Sequence, residues 1–152
     1  GYFKENFKKN KLENLLNYSL EFCQENSVKS YLNVLRGLHF QKQPYSQSKL
    51  VSVSFGKILD VAVDIRKDSE NFGKYFSYIL SSDKHESLFI PKGFAHGYLC
   101  LDNKNTILYL LNKKYSSKNN SGFNWKDKEF NIKWGIRQPI LSIKDKKLGE
   151  YR

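Results

Sequence analysis

The 152-residue chain carries 26 lysines and arginines against 15 acidic residues, a formal net charge of +11, with 39% hydrophobic and 15% aromatic residues. That mixture excludes a disordered chain and fits one domain able to bury a core without disulfides or structural metals. Two cysteines without CxxC spacing exclude a disulfide framework and a zinc ribbon. The N-terminal GYFKENFKKNKLENLL lacks the apolar run of a signal peptide, no stretch reaches the roughly 20 apolar residues of a membrane span, and a cytoplasmic chain is expected.

In chain order, Phe7, Leu12 and Leu15 set among Lys, Asn and Glu predict a short amphipathic helix over Lys9 to Leu16. From Gln24 onward the pattern turns to short runs of period two bounded by Gly, Asn, Ser and Lys clusters, which predicts an antiparallel all-β barrel or sandwich. KLVSVSF (Lys49 to Phe55) and KILDVAVDI (Lys57 to Ile65), split by Gly56, read as a hairpin. In the second run Leu59, Val61, Val63 and Ile65 share one face, and Ile58, Asp60, Ala62 and Asp64 the other, so two carboxylates lie on one side. Further strands are expected at Tyr75 to Leu80, Ser87 to Ile90, Gly97 to Leu101 and Thr106 to Leu111, with turns at SSDKH, PKG and LDNKN. KKYSSKNNSG reads as a mobile polar surface loop or one that orders around a ligand. Arg137 to Arg152 is a basic, weakly patterned stretch with one short helix. Cys23 and Cys100 read as reduced, packed thiols. No second domain is indicated.

The lysines are spread over almost every loop, which reads as a lysine-rich surface more than as a field selected for a phosphate-bearing partner. No compact basic patch interleaved with aromatics marks a nucleic-acid interface. Among the histidines, His85 in SSDKHES reads as solvent-exposed. His39 in LRGLHFQ and His96 in IPKGFAHGYL stand beside glycines and apolar residues, the setting of a partly enclosed site, although each alone is as readily structural. There is no HxH pair, no HExxH and no Glu near His39 to complete a metal centre, and no GxSxG elbow for a hydrolase. Arg36 and His39 have opposite strand parity, and a bulge at Gly37 would turn both toward one cavity. By residue type alone, Tyr109 in TILYLL is a core aromatic, Asp145 in IKDKK a solvated charge and Lys49 an exposed strand lysine.

LRGLHFQ, KLVSVSFGKILDVAVDIRKDS, IPKGFAHGYL and FNWKDKEFNIKW, in that order, resemble the dTDP-4-dehydrorhamnose 3,5-epimerases of bacterial rhamnose biosynthesis, and the likeness runs from Gly1 to about Lys146 essentially without gaps. The resemblance implies an all-β cupin, a double-stranded β-helix or jelly-roll barrel with short peripheral helices. It would form a single domain over residues 1–152, with the family's N-terminal segment and its diphosphate-contacting Arg expected to be missing. It also implies a homodimer and an isomerase that uses no cofactor and no metal, since Pro91 to His96 is similar to the second cupin motif while the metal-ligating first motif is absent. The implied partner is a nucleotide-diphosphate sugar, with neither nucleic acid nor membrane. The implied reaction converts dTDP-4-dehydro-6-deoxy-D-glucose to dTDP-4-dehydro-L-rhamnose by inversion at C3 and C5, toward a surface polysaccharide such as lipopolysaccharide.

By position, the resemblance makes His39 the general base, Asp145 its carboxylate partner, Tyr109 the acid on the opposite face and Lys49 the substrate-site lysine. Glu5, Gln24, Asn26, Arg36, Asp60, His96 and Lys144 match substrate-site positions, and Tyr115 the aromatic that stacks on the nucleotide base. Asn120 stands where the family commonly carries Glu; its carboxamide adds donors, which opens recognition of a base other than thymine.

The residue types suit this chemistry. A ketone at C4 acidifies the hydrogens on C3 and C5, and a fixed ammonium stabilises the enolate. A histidine side chain, unperturbed pKa about 6.5, accepts a proton at neutral pH, while a tyrosine, about 10, still holds one to return. Two alternatives stay open: an epimerase of C3 or C5 alone on another nucleotide-linked 4-keto sugar, and a non-catalytic cupin that binds a sugar nucleotide. Catalysis requires His39, Tyr109 and Asp145 to converge on one cavity with Lys49; a binding module does not.

Overall fold

Alternation of period two carries most of the chain between residues 24 and 111 into eight strands, in a computed structural model that describes residues 1–152. Helix α1 (Lys9–Leu16) precedes β1 (Gln24–Tyr31), β2 (Val34–Gln41), β3 (Lys49–Phe55), β4 (Lys57–Asp64), β5 (Tyr75–Ser81), β6 (Ser87–Ile90), β7 (Phe94–Cys100) and β8 (Lys104–Leu111). A 3₁₀ turn at Ser117–Asn119, β9 (Asn120–Gly122), β10 (Ile140–Leu141) and α2 (Ile143–Lys146) complete the chain. One sheet has the order β1-β8-β3-β6; the other runs β10-β2-β7-β4-β5, with β9 added beside β2. All pairings are antiparallel except β10 with β2.

The two sheets close on a shared apolar interior. Val51, Val53, Ile90 and Ile107 from the four-stranded sheet pack against Ile58, Ala62, Leu80, Tyr98 and Cys100 from the other. A second core lies behind the larger sheet, where Leu35, Leu38, Val61, Val63, Ala95 and Leu99 are covered by Phe123, Phe130 and Trp134 of the C-terminal segment. The opposite faces of β4 therefore enter two different cores, and each fully buried Val or Ile is worth about 1.5–3 kcal/mol. The C-terminal layer is pinned by polar contacts as well. Trp134 Nε1 donates to the Trp125 carbonyl at 2.8 Å, and the Asp127 carboxylate accepts from the Tyr151 N–H at 2.7 Å and the Glu129 N–H at 2.9 Å. Mostly strand, with two sheets and few helices, the chain is the all-β barrel that the sequence predicts.

The expected hairpin of β3 with β4 does not form: the two strands lie in different sheets. Gly56, at φ +84°, turns the corner between them, and a side chain there would meet Asn105 Oδ1 at 2.6 Å, the atom that accepts the Lys57 N–H at 2.9 Å. A side-chain amide thus replaces the hairpin bond, and β3 pairs with β8 instead. β7 begins three residues before the expected Gly97, so that His96 lies within a strand, and β8 begins two residues before Thr106. The end of the KKYSSKNNSG segment forms β9 against β2. Cys100 is buried, but Cys23 is exposed and not packed as expected; His85 is exposed as read.

Candidate active site

β2 supplies the first two functional side chains through an irregularity that the sequence anticipated. Leu35 and Leu38 both point into the rear core, and Arg36 and His39 both line the cavity, because the β2–β7 register shifts between Arg36 and His39. Gly37, at φ +110°, is the extra residue. A Cβ there would lie 2.7 Å from the His96 carbonyl oxygen and 2.8 Å from Gly97 Cα, so β2 and β7 approach backbone to backbone at this point.

A cavity of about 290 Å³ lies beside this bulge, lined by residues of both sheets. His39 and His96, register partners on β2 and β7, occupy one wall. Lys49 of β3, Tyr109 of β8 and Asn26 of β1 occupy the facing wall, and α2 brings in Lys144 and Asp145. Tyr115 and Asn120 line it from the segment after β8, Tyr115 being half-exposed. His39, Tyr109, Asp145 and Lys49 thus meet around one space.

His39 Nε2 lies 2.7 Å from Asp145 Oδ1. Asp145 is aimed by the cap of α2: Ser142 Oγ accepts the Asp145 N–H at 3.0 Å and donates to Asp145 Oδ2 at 2.7 Å, while the Gly37 N–H points at Oδ1 from 3.4 Å. Burial works against ionisation of Asp145, but the hydrogen bonds from His39, Ser142 and Gly37 outweigh it and hold the carboxyl below its ordinary range. A second pair lies deeper, with His96 Nε2 2.5 Å from Asp60 Oδ1 and both residues buried. Burial lowers Lys49 to about 8, opposed by the nearby Asp60 carboxylate, so at neutral pH its ammonium is retained yet easily lost. Burial pushes Tyr109 well above 10, which keeps the phenol protonated.

Only three buried side-chain polar atoms in the chain lack a protein partner: His39 Nδ1, Asp60 Oδ2 and Tyr98 Oη. All belong to residues at or directly behind this cavity. Unsatisfied buried groups cost stability, and their clustering is the mark of a site shaped for a ligand or a reaction rather than for packing.

Of the residues singled out by sequence, Asn26, Arg36, His39, Lys49, His96, Tyr109, Tyr115, Asn120, Lys144 and Asp145 line the cavity. Asp60 sits behind it on His96. Gln24 stands at the rim, where its Oε1 accepts the Tyr115 N–H at 3.2 Å and its Nε2 donates to Asn26 at 3.0 Å. Glu5 does not line this cavity; it pairs with Lys11 at 3.0 Å and lies near Lys8 in the N-terminal arm. Sequence reading passed over Gln41, Gln47 and Tyr98. Gln41 and Tyr98 stand two residues beyond His39 and His96 on their strands and share their faces, a signal that was available; nothing in the pattern marked Gln47.

The chain is similar to known proteins along its whole length. The family model described as dTDP-4-dehydrorhamnose 3,5-epimerase matches residues 1–152. A dTDP-4-dehydrorhamnose 3,5-epimerase of Shigella flexneri is 44% identical over 145 residues, 95% of this chain and 80% of the relative. The crystal structure of the Bacillus anthracis enzyme of that name, with TDP and PPi bound, is 44% identical and superposes with a TM-score of 0.95 over 99% of this chain and 86% of its own. That of the Legionella pneumophila epimerase in complex with dTDP-4-keto-L-rhamnose is 36% identical, with a TM-score of 0.92 over 100% and 87%.

Proposed function

The chain belongs to the dTDP-4-dehydrorhamnose 3,5-epimerase family, and on that premise we propose that it converts dTDP-4-dehydro-6-deoxy-D-glucose to dTDP-4-dehydro-L-rhamnose with its own side chains as acid and base. The observation that carries the reading is that His39 and Tyr109 face one cavity from opposite sheets. Inversion needs a base on one face of a carbon and a proton donor on the other, and two facing sheets provide that separation.

In this reading His39 takes the proton from C3 or C5, and Asp145 holds one ring nitrogen, fixes the tautomer and stabilises the imidazolium. The electron pair left on carbon delocalises onto the C4 oxygen as an enolate, stabilised by the Lys49 ammonium. Tyr109 returns a proton from the other side. Arg36 and Lys144 hold the anionic diphosphate sugar, and Tyr115 offers its half-exposed ring to the nucleotide base. The whole chain acts as one domain.

The working form in this reading is a homodimer in the cytoplasm. Tyr2 and Phe3 of the N-terminal arm are exposed, and in such a dimer a second copy's arm would bring Glu5, which the resemblance places at the substrate, to the cavity. Sedimentation of the purified chain tests the assembly.

Proton NMR in D2O with dTDP-4-dehydro-6-deoxy-D-glucose tests the reaction. Deuterium is expected at both C3 and C5, and is lost in His39→Ala. Deuterium at one carbon would select a single-centre epimerase; none at either carbon, in a folded dimer, would sink the reading.

A further inference from the structure

Tyr98 has no assignment in the reaction just described, yet it is the most anomalous side chain in the cavity wall. Its ring is almost fully buried and its hydroxyl has no hydrogen-bond partner in the protein. It follows His96 by two residues on β7, so both side chains enter the barrel, and its ring lies 6.4 Å from that of Tyr109 and 6.3 Å from that of His96. Packing alone does not explain it, because a phenylalanine would fill the same space without burying an unpaired hydroxyl.

The surroundings say what the hydroxyl is for. Tyr109 stands on the opposite sheet and is wedged edge-on against His96, with ring centroids 6.1 Å apart. Behind Tyr98, Ser30 is buried in β1 and its Oγ accepts from Arg36 Nε at 3.3 Å. Burial raises the pKa of both phenols, and the Arg36 guanidinium opposes that rise in each. At neutral pH the pair therefore holds two protons, next to a fixed positive charge.

We propose that Tyr98 is the positioning residue of Tyr109: its hydroxyl, which has no partner in this structure, is free to turn and donate to the Tyr109 oxygen, where it aims the phenol across the cavity and carries part of the charge left when Tyr109 gives up its proton. This rests on the epimerase reading above. In the step concerned, the Tyr109 O–H bond breaks and a C–H bond forms on the substrate carbon as the enolate pair returns to it. The Tyr109 phenolate keeps the O–H electrons, and Tyr98 retains its own proton while hydrogen-bonding to that oxygen. Water restores the Tyr109 proton and removes the one held by His39, so no other reactant is required. Without Tyr98, the phenolate would form in a buried site with no adjacent neutral donor, where a charge is costly.

The test compares wild type, Tyr98→Phe, Tyr109→Phe and the double variant, with dTDP-4-dehydro-6-deoxy-D-glucose in D2O. Tyr98→Phe is expected to lower kcat about tenfold to a hundredfold with KM within about twofold, to leave the melting temperature unchanged or higher, and to add nothing in the Tyr109→Phe background. A kcat within about twofold of wild type, a rise in KM alone, or independent losses in the double variant would overturn the proposal. If wild type itself exchanges no deuterium, it is the epimerase reading that has failed. The hydroxyl pairing is then read without substrate from ¹³Cζ-tyrosine NMR, where the Tyr109 resonance, assigned by Tyr109→Phe, moves on Tyr98→Phe if the two oxygens interact and stays in place if they do not.

Discussion

His39 of β2 and Asp145 of α2 meet at 2.7 Å across the seam between the barrel and its C-terminal layer. The contact joins the residue that would move a proton to a segment that otherwise serves as a lid on the rear core. Anything that loosens that layer should therefore reach the chemistry.

The direct test of this link is Asp145→Asn. The carboxamide keeps the shape but removes the charge that stabilises an imidazolium and presents a donor where His39 needs an acceptor. We expect kcat to fall by about 10²-fold or more with little change in KM. Steady-state kinetics checks it, and a kcat within about threefold of wild type would show that His39 works without the pair.

Lys49 sets an alkaline limit. Burial places its pKa at about 8, and the ammonium is the form that stabilises the enolate, so activity is present below that pH and lost as pH rises through it. The profile of kcat/KM should descend near about pH 8, because Tyr109 is held far higher. Lys49→Gln should remove the descent along with about 10²-fold of the rate. A profile flat to pH 10 would contradict the assignment.

Gly37 tolerates no side chain. Its φ of +110° and the 2.7 Å and 2.8 Å approaches to β7 mean that Gly37→Ala must separate the strands that carry His39 and His96. The expected loss of stability is about 2–4 kcal/mol by urea unfolding, with a larger proportional loss of activity than of folded protein at 25 °C.

Asp64 provides the pH dependence of folding. The Arg66 guanidinium, bonded to both carboxylate oxygens at 2.9 and 2.6 Å, holds Asp64 at about 2, below its ordinary 3.8. A depressed carboxyl stabilises the fold above its unfolded pKa, and that stabilisation is lost as pH falls from about 4 through 2. Because Arg66 is half-exposed, the contribution is discounted to roughly 1–2 kcal/mol. Asp64→Asn should lower the melting temperature at pH 7 and reduce the difference between pH 7 and pH 3; an unchanged difference would assign the acid sensitivity elsewhere.

The sequence by itself determined strands β3 to β8, the helix over Lys9–Leu16, the two faces of β4 and the bulge at Gly37. Each is a local pattern: a period of two, a period of 3.6, or a parity mismatch within four residues. The ordered motifs also sufficed for the family. Tertiary structure alone decided that β3 and β4 part into different sheets at Gly56, since a glycine between two apolar runs serves a hairpin and a barrel corner equally well, and only the Asn105 side chain chooses between them. It alone showed Glu5 away from this cavity, the C-terminal segment as a second core, and Tyr98 buried with a free hydroxyl beside Tyr109. The reason is physical: periodicity reports which side of its own strand a residue faces, whereas a site is made by which strands face each other, and that is settled by packing between segments far apart in the chain.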